Sequence, residues 1–369
     1  PADGQYKPAG QPRWIEDVSY LTLQGAHDMD VSSFDGSRQW DHVRYTRRGP
    51  WFKAEIYAYR ANHGQFNTAW GRDDAGKPLG WLLNLKPLMP GAEQRRISKT
   101  YISAFLEATL KDHREYLPLF EDWRVARAWL PDTLYFNRYQ DASYTSLASF
   151  DEDADLTTTS APGGHIEGEN LSIWSEGNIP WRDGDRGYNG VFLGWNRAKD
   201  APAATYAITL PPGSAANWHL NSGSTIELSV APLDEDAPLP GKKETDEKDK
   251  KKDKNHDQSK KKERESLDFT IELVTTDGVT VSAPLSRFSS IPPPFKEKFT
   301  KLSVLDDAAY HQDWEAVFQS VRAPLSAFRT PCVSKCRPFD PAKLSVVRLK
   351  FDRTPMYKIC ISGIGFGKH

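Results

Sequence analysis

Two stretches decide the fold: Gly25-Ala26-His27-Asp28-Met29-Asp30-Val31 and, further along, Ala61-Asn62-His63-Gly64-Gln65-Phe66-Asn67. Each follows a short apolar run, Val18-Ser19-Tyr20-Leu21-Thr22-Leu23 in the first case and Lys53-Ala54-Glu55-Ile56-Tyr57-Ala58-Tyr59 in the second. Runs of this length bounded by turn residues predict β-strands. The acids and the histidine then sit on the loops beyond the strand ends, where a rigid scaffold commonly presents functional groups.

This arrangement resembles the α/β-hydrolase superfamily, in which the triad runs Ser, then Asp or Glu, then His, with the Ser on a Gly-x-Ser-x-Gly elbow. The context from Trp51 through Asn84 is similar to the branch of dienelactone and polyester hydrolases that carry a C-terminal β-sandwich. The resemblance implies Asp28 as the acid and His63 as the base of a serine hydrolase for carboxylic esters. Asp30 is the alternative acid, and Phe66 and Trp70 fall near the rim of the substrate site. The bland readings are a loop histidine bonded to backbone for His63, a turn-capping carboxylate for Asp30, and a structural role for His27.

No Gly-x-Ser-x-Gly occurs in the 369 residues. Because the superfamily places the Ser first, the nucleophile is expected ahead of Pro1, with the elbow, the oxyanion-hole loop and the earlier strands. The chain thus reads as the C-terminal part of a hydrolase, inactive alone, whose complete form takes a small-molecule or polymeric ester. The alternatives are a pseudo-enzyme and a non-catalytic carbohydrate- or partner-binding β-sandwich protein.

Composition fits folded domains, with 38% hydrophobic and 12% aromatic residues. No stretch approaches the roughly 18 apolar residues of a membrane span, and a net charge of −2 gives no case for nucleic acid. The length predicts two domains: residues 1–140 for the hydrolase portion, a linker over 141–168 rich in Ser, Thr, Asp, Gly and Pro, and a sandwich over 169–369. Within the first, Ile97, Tyr101, Ala104, Phe105 and Ala108 make one stripe of an amphipathic helix from about Ala92 to Lys111. Residues 113–139 form a Trp- and Leu-rich extension expected to pack on it.

Downstream the period changes to short strands. They are read over Leu171 to Trp174, Val191 to Trp195, Thr205 to Leu210, Ser224 to Val230, Leu267 to Thr275, Val279 to Pro284, Val321 to Pro324, Ser345 to Phe351 and Lys358 to Ile361. Asp277-Gly278 is a hairpin turn between two of them. A jelly-roll sandwich follows. Ser345 to Asp352 and the closing Ile361 to Gly367 resemble the galactose-binding-like sandwiches of extracellular hydrolases. That resemblance implies carbohydrate as a partner at the sandwich and a secreted or periplasmic location. Trp174, Trp181, Tyr188, Trp195 and Trp218 could stack on sugar rings or fill the core. Asp183, Asp185 and Asn189 offer calcium-type oxygens or a solvated turn.

The run from about 240 to 266 is too polar to fold. Its stretch Lys242 to Glu265 holds 11 Lys or Arg and 8 Asp or Glu, and it reads as a disordered insertion. Cys332, Cys336 and Cys360 leave at least one thiol free or paired between chains. No metal or cofactor is expected.

Overall fold

The computed structural model describes residues 14–153, 155–182, 184–198, 201–235, 237–240, 265–294, 296–309, 314–329 and 337–368. The run 241–264, Cys332 and Cys336 lie outside them, as does Asp183 of the calcium-type loop.

The N-terminal unit contains β1 (Ile15–Glu16), β2 (Tyr20–Gly25), α1 (Asp35–Asp41), β3 (Val43–Arg44), β4 (Phe52–Ala58), α2 (Gly91–Leu110), α3 (Pro118–Glu121) and β5 (Tyr135–Asp141). β2 runs parallel to β4, and β5 closes the other side of β4 antiparallel. The two strands read from sequence are therefore joined by a third, from the end of the aromatic extension. On one face of β4, Phe52, Ala54, Ile56 and Ala58 meet Ile97, Tyr101, Ala104 and Ala108 of α2 and Leu119 and Phe120 of α3. The helical stripe lies where its period places it. This is a small α/β unit, and the three strands of its β2-β4-β5 sheet do not distinguish an α/β-hydrolase sheet from other α/β arrangements. Among the described residues no strand pairs with the outer edge of β2.

The remaining strands are β6 (Thr145–Ala148), β7 (His165–Glu169), β8 (Ile173–Trp181), β9 (Gly184–Asn196), β10 (Ala204–Thr209), β11 (Ser224–Pro232), β12 (Thr270–Thr275), β13 (Thr280–Pro284), β14 (Gln319–Pro324), β15 (Leu344–Phe351) and β16 (Met356–Lys368). Two short helices, α4 (Ser214–Asn217) and α5 (Ser303–Ala309), interrupt them. One sheet has the order β13-β12-β15-β10-β7. The other runs β14-β11-β16-β9-β8, with β6 alongside the far end of β16. All their pairings are antiparallel. Alternate residues such as Tyr206, Ile208, Ile271 and Leu273 from one sheet and Ile226, Leu228, Ile359 and Ile361 from the other fill a shared core. Inward alternation on both sheets is the packing of a β-sandwich.

Two boundaries differ from the sequence reading. The interval 141–168 contains β6 and the start of β7, so its polar residues edge the sandwich as well as leading into it. β16 continues to Lys368, well past Ile361, although glycines are poor strand formers. A side chain at Gly365 would meet the Tyr144 ring at 2.5 Å, so the bare backbone there admits the tyrosine.

The six-stranded sheet is covered on both faces, because the N-terminal unit sits against its outer side. Gln319 and Ser320 of β14 cap the free edge of β5: Gln319 Oε1 accepts the Asn137 N–H at 3.0 Å and Ser320 Oγ accepts that of Tyr139 at 2.8 Å. Beside them Arg138 donates to Asp41 at 3.1 Å and Glu55 at 3.0 Å, and Arg186 donates to Asp41 at 2.5 Å. Burial alone would raise the Asp41 carboxyl; the charges of Arg186 and Arg138 outweigh it and hold the group below its ordinary value. Arg182 forms a second buried pair with Glu297 at 2.6 Å. Arg182 and Arg186, which fall in the polar stretch of sequence after Trp181, are thus buried docking residues.

Candidate active site

β2 and β4 are parallel, so the loops after Gly25 and Ala58 leave the same end of the sheet. Gly25 lets them touch. A Cβ there would lie 2.4 Å from the Ala61 carbonyl oxygen, and the His27 N–H donates to that same carbonyl at 2.8 Å. The loop then turns so that Asp28 Oδ1 accepts the N–H groups of Asp30 at 3.1 Å and Val31 at 2.7 Å. Asp28 Oδ2 is left facing the second loop, where His63 Nδ1 donates to it at 2.9 Å.

Asp28 is buried, whereas the His63 side chain keeps about a third of its surface exposed. Burial pushes the Asp28 carboxyl up against the opposing pull of the His63 hydrogen bond and charge. The hydrogen bond to Asp28 raises the His63 imidazole above its ordinary value; burial opposes it, and the charges of Asp28, Asp30 and Asp74 add to it. A histidine that donates through Nδ1 carries its lone pair on Nε2. Asp30 lies on that side, with Oδ2 3.8 Å from Nε2. The two acids therefore occupy opposite nitrogens of one ring. Among the described residues, no hydroxyl or thiol hydrogen-bonds to Nε2.

Trp70 is 65% exposed and lies parallel to the imidazole, with ring centroids 5.6 Å apart and planes 8° from each other. Phe66, expected beside Trp70 on the rim, is half-buried and packs with one side against the apolar core beneath α2. It sits on the short turn Gly64–Phe66 that follows His63, and this turn contacts the helix. His27 is buried against Tyr59, and burial, with the charges of Arg182 and Arg60, lowers it to about 4. It does not reach the Asp28–His63 pair.

Three further residues hold the geometry. Asp74 Oδ2 accepts the N–H groups of Met29 and His63, both at 3.1 Å, while Oδ1 accepts Gly64 N–H at 2.9 Å and the Asn62 amide at 2.6 Å. Gln94 of α2 exchanges amide hydrogen bonds with the Asn62 backbone in both directions. One carboxylate thus ties the acid loop to the histidine loop, and one helix residue anchors the latter. Asn62 adjoins the histidine and Asp74 ends an Asp73-Asp74 pair, but neither spacing announces these bonds.

Among the described residues, no three His, Cys, Asp or Glu side chains are grouped as a metal would require. Asn189, from the calcium-type loop, pairs across the β8–β9 hairpin with Asn178. Of the aromatics considered for sugar stacking, Trp181 and Trp195 are buried, and Trp174 and Trp218 pack against the sandwich core. They form no exposed platform. Cys360 is a buried free thiol whose pKa burial raises. No described helix is long and apolar enough to cross a membrane.

No protein-family model matches the sequence, and no curated protein does. Among solved structures it is slightly similar to a family 30 carbohydrate-binding module of a cellulosomal cellulase of Clostridium thermocellum. That match has 11% identity and a TM-score of 0.31 over 61% of this chain and 98% of the module. A family 11 carbohydrate-binding module from the same organism, in complex with a β-1,3-1,4-mixed-linked tetrasaccharide, gives 9% identity and a TM-score of 0.30 over 62% and 98%. An exo-β-agarase gives 12% identity and a TM-score of 0.34, over 61% of this chain and 25% of its own.

Proposed function

We propose that Asp28 and His63 are the acid and base of an acyl-transfer site for carboxylic esters, completed by a serine-type hydroxyl set against His63 Nε2. The observation that supports this reading is the 2.9 Å contact between His63 Nδ1 and Asp28 Oδ2 on adjoining loops at one end of parallel strands. The buried acid fixes the tautomer and offsets the charge the ring gains. In the first half-reaction Nε2 takes the hydroxyl proton as its oxygen attacks the ester carbonyl. The tetrahedral intermediate then expels the alcohol, which leaves with that proton. Water, deprotonated by the same nitrogen, releases the acid and restores the hydroxyl.

Asp30 does not serve as the orienting acid in this scheme, because it lies beside the nitrogen that must handle the substrate proton. Trp70, stacked on the imidazole and exposed, borders the acyl or alcohol pocket. The test is hydrolysis of p-nitrophenyl butyrate by the native protein. His63→Ala should lower the rate by several powers of ten, and near-wild-type turnover in that variant refutes the role.

A second reading concerns the sandwich, which we propose serves as a carbohydrate-binding module. A hollow on the outer face of its six-stranded sheet, lined by both aromatic rings and hydroxyls, favours this, since the buried tryptophans do not.

A further inference from the structure

The hollow lies where the outer face of the six-stranded sheet meets the N-terminal unit, and it encloses about 300 Å³. Lys53 lines it near the start of β4, whereas His63 lies beyond the strand's C-terminal end. Five residues of strand, about 17 Å at ~3.3 Å each, separate Lys53 from Ala58. The hollow is a different place from the ester site.

Its walls are rich in hydroxyls. Tyr45, Tyr144 and Tyr188 contribute phenols, and Ser146 and Ser149 contribute alcohols; Ser149 already donates to Glu152 at 2.6 Å and Tyr144 bonds Ser146, so these hydroxyls would serve a ligand with their remaining capacity. The Tyr45 hydroxyl is shielded from solvent and has no hydrogen-bond partner, a costly state for a buried polar group; a small shift of its ring toward the hollow would let a ligand hydroxyl relieve it.

The charges that also line the hollow are already paired. Arg138 spends Nη1 on Asp41 and Glu55, Nε on Ser229 and Nη2 on Ser362. Glu227 accepts from Arg322 Nε at 2.9 Å and from Thr225 at 3.0 Å. Lys53 donates to the carbonyls of Trp40 at 3.0 Å and Val43 at 2.7 Å. Arg44, at the rim, pairs with Glu16, and Asp141 lies 3.9 Å from Arg322. A ligand with net charge would compete with these contacts for its counter-charge and carry a desolvation cost besides. A neutral ligand bearing many hydroxyls avoids that cost, because Tyr and Ser hydroxyls both donate and accept. The volume falls at the lower end of the ~300–1,000 Å³ range of ligand pockets, which suits one or two sugar rings.

We infer that this junctional hollow binds a neutral mono- or disaccharide unit, with the Tyr45 hydroxyl as one of its hydrogen-bond partners. The inference rests on the carbohydrate reading of the sandwich and adds to it a location and a ligand class. It makes the N-terminal unit part of the sugar site, so the bound glycan touches both halves of the chain.

The experiment is saturation-transfer NMR on the full chain with cellobiose, maltose and lactose at millimolar concentration, with galacturonate and glucose 6-phosphate as charged comparators. Tyr45→Phe removes the unpartnered hydroxyl without adding bulk, and Ser146→Phe fills the hollow from β6. Circular dichroism and the melting temperature confirm that both variants fold. The expected result is transfer to at least one neutral disaccharide, weakened several-fold in Tyr45→Phe and lost in Ser146→Phe. Undiminished transfer in both variants overturns the location and leaves the carbohydrate reading standing. Transfer to none of the sugars overturns both. Preference for a charged sugar overturns the ligand class.

Discussion

Asp74 accepts the backbone N–H of His63 through Oδ2 at 3.1 Å, with the same oxygen that holds the Met29 N–H of the acid loop. The imidazole is therefore placed by a carboxylate it does not touch with its ring. Asp74→Ala leaves four donors of the two loops without this acceptor. Hydrogen bonds to a charged group contribute roughly 1.5–3 kcal/mol each when buried, and less where water can replace them. The expected loss is about 2–4 kcal/mol, read by urea unfolding. The His63 resonances should also broaden as the Asp28 contact loosens. An unchanged midpoint and a sharp, unshifted imidazole signal would show that Asp74 holds nothing.

The placement of the two acids on opposite nitrogens separates their variants. On the acyl-transfer mechanism proposed above, Asp28→Asn should lower ester turnover by about 10⁴-fold, because the amide no longer fixes the Nδ1–H tautomer. Asp30→Asn should change turnover little, since Asp30 is largely exposed and 3.8 Å from Nε2. A larger loss in Asp30→Asn reverses the assignment. The same pair can be followed without turnover by titrating His63 in an NMR spectrum. The wild-type imidazole should titrate above its ordinary value, and in Asp28→Asn it should fall, because the hydrogen bond that raises it is the first to go.

The stripe of α2 and the alternation of the sandwich strands were legible because each depends on a period within one element. Ile97, Tyr101, Ala104 and Ala108 can face only one way in a helix, and that way is the core. Arg182 and Arg186 illustrate what was not legible. In sequence they stand in a polar turn with Asp, Gly and Asn, and only Asp41 and Glu297, far away in the chain, make their burial tolerable. β5 was hidden for a similar reason: Asn137 and Arg138 break the apolar pattern, and their partners Gln319, Asp41 and Glu55 come from other elements. The Asp28 and His63 loops could be read from their strands, but Asp74 and Gln94, which hold those loops together, lie in segments with no period.

His27 makes stability depend on acid. Its folded value of about 4 lies below the ordinary 6.5, chiefly through burial. The folded state thus binds fewer protons than the unfolded chain between those two values. The neutral ring's contribution is complete above pH 6.5 and is lost as pH falls toward 4, by up to about 3 kcal/mol at ~1.4 kcal/mol per unit. His27→Phe, which keeps a ring against Tyr59, should flatten the stability profile between pH 6.5 and 4. Urea midpoints at pH 7 and 4.5 for both proteins measure this. Equal slopes would place the acid sensitivity elsewhere.

Arg138 joins the two halves of the chain, reaching Asp41 and Glu55 of the N-terminal unit and Ser229 and Ser362 of the sandwich. Arg138→Met keeps much of the side-chain volume and removes the charge, leaving Arg186 to face both carboxylates. Breaking a buried pair in this way costs about 3–5 kcal/mol, since a buried carboxylate loses its partner. The melting temperature should fall by several degrees. Adding Glu55→Gln should recover part of the loss, because the second change removes the charge that the first left uncompensated. If the double variant is less stable than Arg138→Met alone, the penalty comes from lost packing over Trp40, whose ring centroid lies 3.5 Å from the guanidinium carbon, and the ionic account fails.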